Sequence, residues 1–98
     1  MSLYCSSKAA IEGMTRALAQ ELGDAGHTVN AVAPGPVESD MLEGVPKDIV
    51  EAQLKMTAVE RRVGTADDIA RIVAFLCGED SKWVSGQTIS ASGGFLML

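Results

Sequence analysis

The stretch His27-Thr28-Val29-Asn30-Ala31-Val32-Ala33, followed at once by Pro34-Gly35-Pro36-Val37, decides how the chain is read. Residues 27 to 33 are mostly apolar, include two valines and are too few for a stable helix, so they read as a strand. Near-continuous apolarity fits a strand buried on both faces, as in a parallel sheet covered by helices. Proline, glycine and proline then stop it. The turn they form lies at the carboxyl end of the strand, where open α/β sheets receive their ligands. Asn30 is the odd polar residue in the run, and its expected role is structural, bonding neighbouring backbone.

Upstream, residues 3–22 are rich in helix formers, with Ile11, Met14, Leu18 and Leu22 at intervals of 3, 4 and 4 along one helical stripe. Gly23 and Gly26 bracket its end. A second stripe, Ser6, Ala10, Gly13 and Ala17, is made of small residues that admit a close neighbour, so this helix is expected to pack on two sides and to pair across a two-fold axis. Glu12 and Arg16 are a favourably ordered pair on the polar edge. At the head of the helix stands Tyr4-Cys5-Ser6-Ser7-Lys8. A tyrosine and a lysine four apart share one helix face, with Cβ atoms about 5 to 6 Å apart. A phenol is too weak an acid to move protons well near neutrality, and a nearby cation favours its ionised form. The pair therefore suits general acid–base chemistry.

Downstream, residues 36–65 are too long for a structureless connection and read as a binding loop or lid. Within it Pro46 and Asp48 start a short amphipathic helix running to about Met56. Arg61 and Arg62 read as solvated or structurally paired charges. Thr65-Ala66-Asp67-Asp68 has the form of a capping box, and Ile69, Ile72, Val73 and Leu76 continue as the apolar stripe of a helix over 66–77. Trp83-Val84 leads through Ser85-Gly86 into a last strand at 87–91, ahead of Gly93-Gly94. Strand, long crossover with helices, strand: a parallel, right-handed βαβ unit is the expected arrangement.

Bulk properties exclude several classes of function. The 98 residues carry a formal net charge of −5, which argues against a basic nucleic-acid-binding surface. No apolar run approaches the roughly 18 residues of a membrane span. One histidine and two distant cysteines offer no metal-binding spacing, and Cys5 and Cys77 read as reduced, buried thiols. No charged and apolar leader opens the sequence and no targeting tripeptide closes it, so the cytoplasm is the expected compartment.

With these residues in place the chain resembles, over nearly its whole length, the C-terminal portion of the short-chain dehydrogenase/reductase family. Tyr4 and Lys8 match the family's Tyr-x-x-x-Lys pair. Val29 to Val37 resembles the strand and turn beside its nicotinamide, and Arg62-Val63-Gly64, Asp67-Asp68-Ile69-Ala70 and Trp83-Val84-Ser85-Gly86-Gln87 match in the family's order. The resemblance implies an α/β fold, the C-terminal part of a Rossmann-like doubly wound parallel sheet with two strands and about three helices, the N-terminal half being absent.

It further implies an NAD- or NADP-dependent oxidoreductase interconverting a ketone and a secondary alcohol, a 3-oxoacyl-type carbonyl among the candidates. Tyr4 would be the general acid or base and, with Lys8, would contact the cofactor. Lys8 would act on the phenol and bind the nicotinamide ribose. Pro34 and Gly35 would line the cofactor, and the Val37 backbone and Ser39 hydroxyl would hold its carboxamide. Dimers or tetramers are implied as well, with no nucleic-acid or membrane partner. Ser39 departs from the family's more frequent threonine, and Ala91-Ser92-Gly93-Gly94 lacks the acidic residue that commonly precedes the two glycines. The family's glycine-rich phosphate turn, its catalytic serine and an asparagine are absent from these residues, and Ser6 and Ser7 do not replace the serine. The alternative expectation is a truncated, inactive relative that serves as an oligomerisation or interaction module.

Overall fold

A computed structural model describes residues 1–98. The elements run α1 (Ser2–Leu22), β1 (Ala31–Pro34), α2 (Asp40–Glu43), α3 (Lys47–Met56), α4 (Ala66–Leu76) and β2 (Thr88–Ala91). Single 3₁₀ turns lie at Gly23–Ala25 and Glu79–Ser81. The two strands are neighbours in one parallel sheet. The helices number four rather than three. The additional one is α2, a single turn started by the Ser39 hydroxyl, which accepts from the Leu42 N–H at 3.2 Å.

Two compact units divide the chain, Met1–Ala31 with Phe75–Ile89, and Val32–Ala74 with Ser90–Leu98. In the first, α1 is a 21-residue helix without a side-chain N-cap. It ends through the 3₁₀ turn at Gly26, whose φ of 83° is the left-handed conformation that glycine tolerates. Only Thr15 is buried on α1, its hydroxyl donating to the Ile11 carbonyl at 2.8 Å. Ala19 is small enough for Gly86 to approach, a Cβ on that glycine lying 3.5 Å from the alanine's. Within this chain α1 is thus covered along one face, around Thr15, Leu18 and Ala19, and not on two sides. Ile11 and Met14 of the expected apolar stripe, and Ser6, Ala10 and Ala17 of the small-residue stripe, are exposed.

The strand expected at 27–33 is shorter at its start. Residues 27–30 are held by other bonds: His27 N–H reaches the Leu22 carbonyl, and Val29 N–H donates to Ser85 Oγ at 3.1 Å. Asn30 completes the exchange. Its Nδ2 donates to the Val84 carbonyl at 3.0 Å, and its Oδ1 accepts from Gln87 N–H at 3.1 Å. One side-chain amide here does the work of a peptide unit, tying the entry of β1 to the segment before β2. Both cysteines are free, as expected, but exposed rather than buried. Cys5 sits in the first turns of α1, where every residue is open, and Cys77 follows the last residue of α4.

In the second unit the end of β1 meets the end of β2 closely. Gly35 N–H donates to the Ala91 carbonyl at 3.2 Å, and a Cβ at residue 35 would stand 2.9 Å from both Cα and Cβ of Ser92. The capping box forms in full: Asp68 N–H donates to Thr65 Oγ1 at 3.2 Å and Thr65 N–H to Asp68 Oδ2 at 2.8 Å. Arg62 closes on the same carboxylate at 2.7 Å and on Glu60 at 2.8 Å. The hydrogen bond from Arg62, and after it that from the Thr65 backbone, hold the Asp68 carboxyl well below the usual carboxylate range.

No hydrophobic residue is fully buried. A folded chain of 10.2 kDa exposes about 5,300 Å² by the usual scaling. This one exposes 7324 Å², with Trp83 97% and Leu3 86% exposed. Among the exposed residues are many large apolar ones, of the kind that a doubly wound sheet covers with further strands and helices.

Two outcomes are expected. Gly35→Ala places a methyl against backbone that cannot move aside, and should destabilise the chain by about 1–3 kcal/mol in urea unfolding. A wild-type midpoint would show that the strand ends separate freely. Because the Asp68 carboxyl is depressed in the folded state, its contribution is in place above about pH 4 and fades as the pH falls toward its own lowered value. Asp68→Asn should therefore flatten the loss of stability between pH 7 and pH 3, and parallel pH profiles would contradict this.

Candidate active site

Tyr4 and Lys8 occupy successive turns of α1, and the Lys8 ammonium lies over the Tyr4 ring, 5.4 Å from its centroid. This is cation–π range, and it holds the ammonium beside the phenol without removing the hydroxyl from solvent. Tyr4 is 59% exposed, so its hydroxyl is open to a ligand. Ser7 lies between them in sequence but turns back on the helix, its hydroxyl donating to the Tyr4 carbonyl at 2.8 Å. It is a backbone staple and leaves the face to the pair.

In the other unit, Pro34 ends β1, and Gly35, Val37 and Ser39 follow along the turn after it. Val37 forms an isolated parallel bridge with Gly64. The bonds of that bridge belong to its neighbours: Gly64 N–H donates to the Pro36 carbonyl at 2.9 Å, and Glu38 N–H donates to the Gly64 carbonyl at 2.9 Å. Successive peptide groups of an extended chain point to opposite sides. The N–H and C=O of Val37 therefore point away from Gly64, leaving a donor and an acceptor side by side. A primary carboxamide presents the complementary pair. Ser39 Oγ already accepts from Leu42 N–H, which leaves its hydrogen free to donate elsewhere. Ser39, Leu42, Val45 and Val50 line an open cleft of about 580 Å³ together with Glu43, Glu51 and Lys47.

Sequence reasoning missed two residues that shape this turn. Gly64 supplies the bridge, and Ser92 is the wall that leaves no room at residue 35. Ser92 is 8% exposed, and its hydroxyl, with that of Ser90, engages the Leu96 backbone. Gly64 stood out in the sequence only as part of the Arg62-Val63-Gly64 match, without a site role. Nothing local marks Ser92. Arg61, one of the two arginines read as surface charges, donates to the Lys55 carbonyl at 3.0 Å, and Arg62 is paired as described.

Residues 1–96 match the family model described as enoyl-(acyl carrier protein) reductase. A short-chain dehydrogenase/reductase of Cladobotryum sp. is 49% identical over 99% of this chain and 40% of its own length. A 3-oxoacyl-(acyl carrier protein) reductase of Pseudomonas aeruginosa is 43% identical over 96% of this chain and 38% of its own. The crystal structure of the 3-oxoacyl-(acyl carrier protein) reductase from Brucella melitensis superposes with a TM-score of 0.89 at 37% identity, covering 97% of this chain and 35% of that one. The chain thus spans about two-fifths of the length of the curated relatives it matches. A parallel strand pair, a Tyr-x-x-x-Lys helix and a match of this extent lead to one conclusion: the chain belongs to the short-chain dehydrogenase/reductase family.

Proposed function

We propose that these residues form the catalytic-helix and substrate-loop portion of an NAD(P)-dependent oxidoreductase that interconverts a ketone and a secondary alcohol in the cytoplasm. The observation that carries the reading is the Lys8 ammonium held over the Tyr4 ring on one exposed helix face. Two relatives are named as 3-oxoacyl reductases, which supports a 3-oxoacyl-type carbonyl as the substrate class. The relatives' names are those of dehydrogenases and reductases, which does not favour the interaction-module alternative.

The residues present fit the nicotinamide end of such a cofactor: the unused N–H and C=O of Val37 suit a carboxamide, with Ser39 as a further donor and Pro34 and Gly35 lining the turn. When bound, the nicotinamide supplies or receives the hydride. Tyr4 holds the proton delivered to the carbonyl oxygen during reduction and takes it back during oxidation. Lys8 carries two duties, holding its charge beside the phenol and donating to ribose hydroxyls. Lacking a glycine-rich turn, these 98 residues offer no cradle for the pyrophosphate. Assembly into dimers or tetramers belongs to the same reading, with the exposed Ile11 and Met14 of α1 as the surface that pairing would cover.

The test is a graft of residues 1–98 behind the upstream portion of the Brucella melitensis reductase, assayed by NADPH and NADH oxidation with a 3-oxoacyl thioester and with a simple ketone. Tyr4→Phe keeps the ring and removes the proton, so turnover should fall by at least about a hundredfold while cofactor binding survives. Turnover within a factor of a few of the parent graft would refute the assignment. Lys8→Met should weaken both cofactor binding and turnover. By contrast, the 98-residue chain by itself should not bind NADPH or NADH in calorimetric titration. Micromolar binding would mean that it assembles a cofactor site without the pyrophosphate turn.

A further inference from the structure

The carboxamide reading gives Val37 its importance, and Val37 is held by Gly64. What holds Gly64 is a set of bonds to which no role has been given. Glu60 and Arg61 are both left-handed, with φ of 59° and 48°, although neither is glycine. Two such residues in succession are strained and persist only where the surroundings fix them. The fixing group is Arg62. Its Nε donates to Glu60 at 2.8 Å, and its Nη1 donates both to Asp68 Oδ2 at 2.7 Å and to the Val63 carbonyl at 3.1 Å. Asp68 Oδ2 in turn accepts from Thr65 N–H at 2.8 Å. The backbone is therefore gripped on both sides of Gly64, at Val63 and at Thr65. Gly64 is in ordinary contact with the turn: a Cβ there would meet the Pro36 carbonyl and Val37 Cγ2 at 3.5 Å and Asp68 Oδ2 at 3.7 Å.

We propose that Arg62 and Asp68 are positioning residues for the nicotinamide: through Val63 and Thr65 they fix the Gly64 peptide, and through the Gly64 bridge they fix where the N–H and C=O of Val37 stand. The proposal rests on the reading of Val37 as the carboxamide partner. The chain of bonds is contiguous, from the guanidinium and carboxylate through one short backbone segment to the turn. The two charges also shift one another in opposite directions, Arg62 upward and Asp68 downward, so the pair is ionised on both sides at neutral pH. An ordinary helix cap would need only Thr65 and Asp68. The fork from Arg62 reaches beyond the cap, into the segment that carries the bridge.

Amide hydrogen exchange of the 98-residue chain tests the clamp without any cofactor. In Asp68→Ala the amides of Glu38 and Gly64 should exchange at least about fivefold faster, in keeping with one weakened hydrogen bond, while those around Thr15 in α1 keep their rates. Asp68→Glu, which retains a capping-box acid, should restore protection. Arg62→Lys keeps the charge but loses the fork, and should show a smaller effect of the same kind. Unchanged exchange at Glu38 in both Asp68→Ala and Arg62→Lys, or no protection there in the parent, would overturn the clamp.

The second arm uses the graft and compares affinity for NADPH and NADH with affinity for the corresponding ADP-riboses, which lack nicotinamide. Asp68→Ala should weaken the dinucleotides about fivefold and leave the ADP-riboses unchanged. Equal weakening of both would overturn a positioning role in favour of general destabilisation. Faster exchange at Glu38 with dinucleotide affinity intact would leave the clamp standing and overturn the carboxamide role of Val37, so the two failures are distinguishable.

Discussion

Parallel neighbouring strands cannot be joined by a tight turn, and that constraint shapes everything between β1 and β2. The chain leaves the sheet at Gly35 and re-enters it at Gln87, and the two ends of the ladder are set by different means. At the entry, Ala31 N–H donates to the Gln87 carbonyl at 2.9 Å, with Asn30 alongside as a substitute peptide. At the exit, Gly35 N–H reaches the Ala91 carbonyl because residue 35 has no side chain to strike Ser92. The crossover is then free to carry helices and loops, and its second tie to the strand end, the bridge of Val37 with Gly64, keeps the turn in place beyond the last ladder bond.

The buried residues are an unusual set: Thr15, Thr57, Ser81 and Ser92. Each satisfies its hydroxyl on nearby backbone. Thr15 bonds to Ile11, Thr57 to Gln53 at 3.0 Å, Ser81 to Leu76 at 2.9 Å and Ser92 to Leu96 at 3.1 Å. A buried hydroxyl without a partner is costly, and one satisfied within a turn of its own position is not. No buried side-chain polar atom is left without a partner. These groups work as local staples, and the hydrocarbon that would form a core lies at the surface. The same chain can therefore hold its turns in register while exposing more surface than its mass accounts for.

Local chemistry was legible in the sequence, and contact across the chain was not. The Tyr4–Lys8 pair follows from helical spacing alone, and the Thr65–Asp68 box from a pattern of four residues. Asn30 could be read as a backbone partner because an amide inside an apolar run must be satisfied somewhere. In contrast, the start of β1 at Ala31 depends on Ser85 and Val84, more than fifty residues away, and no periodicity reports them. The exposure of Cys5 and Cys77 has the same origin. A thiol in an apolar helical pattern reads as buried only if the facing element is supplied, and the pattern cannot say whether it is. Within this chain α1 is covered along one face only, and a stripe of small residues says that a neighbour can approach and not which element supplies it.

The turn after β1 illustrates why some positions of a site are strongly marked and others are nearly invisible. At Val37 the groups that stand free are main-chain N–H and C=O, which every residue but proline possesses, so the side chain there carries little information about the role. The information moves to the neighbours. Gly35 is required by the approach of Ser92, and Gly64 supplies the backbone bonds that hold the turn at Pro36 and Glu38. Ser39 differs again: its oxygen caps α2, and its hydrogen is left free of that bond. A hydroxyl can do both, and the methyl that distinguishes threonine takes part in neither bond. A substitution of serine for threonine at this position thus alters packing around the cap and leaves the hydrogen-bonding capacity of the turn intact.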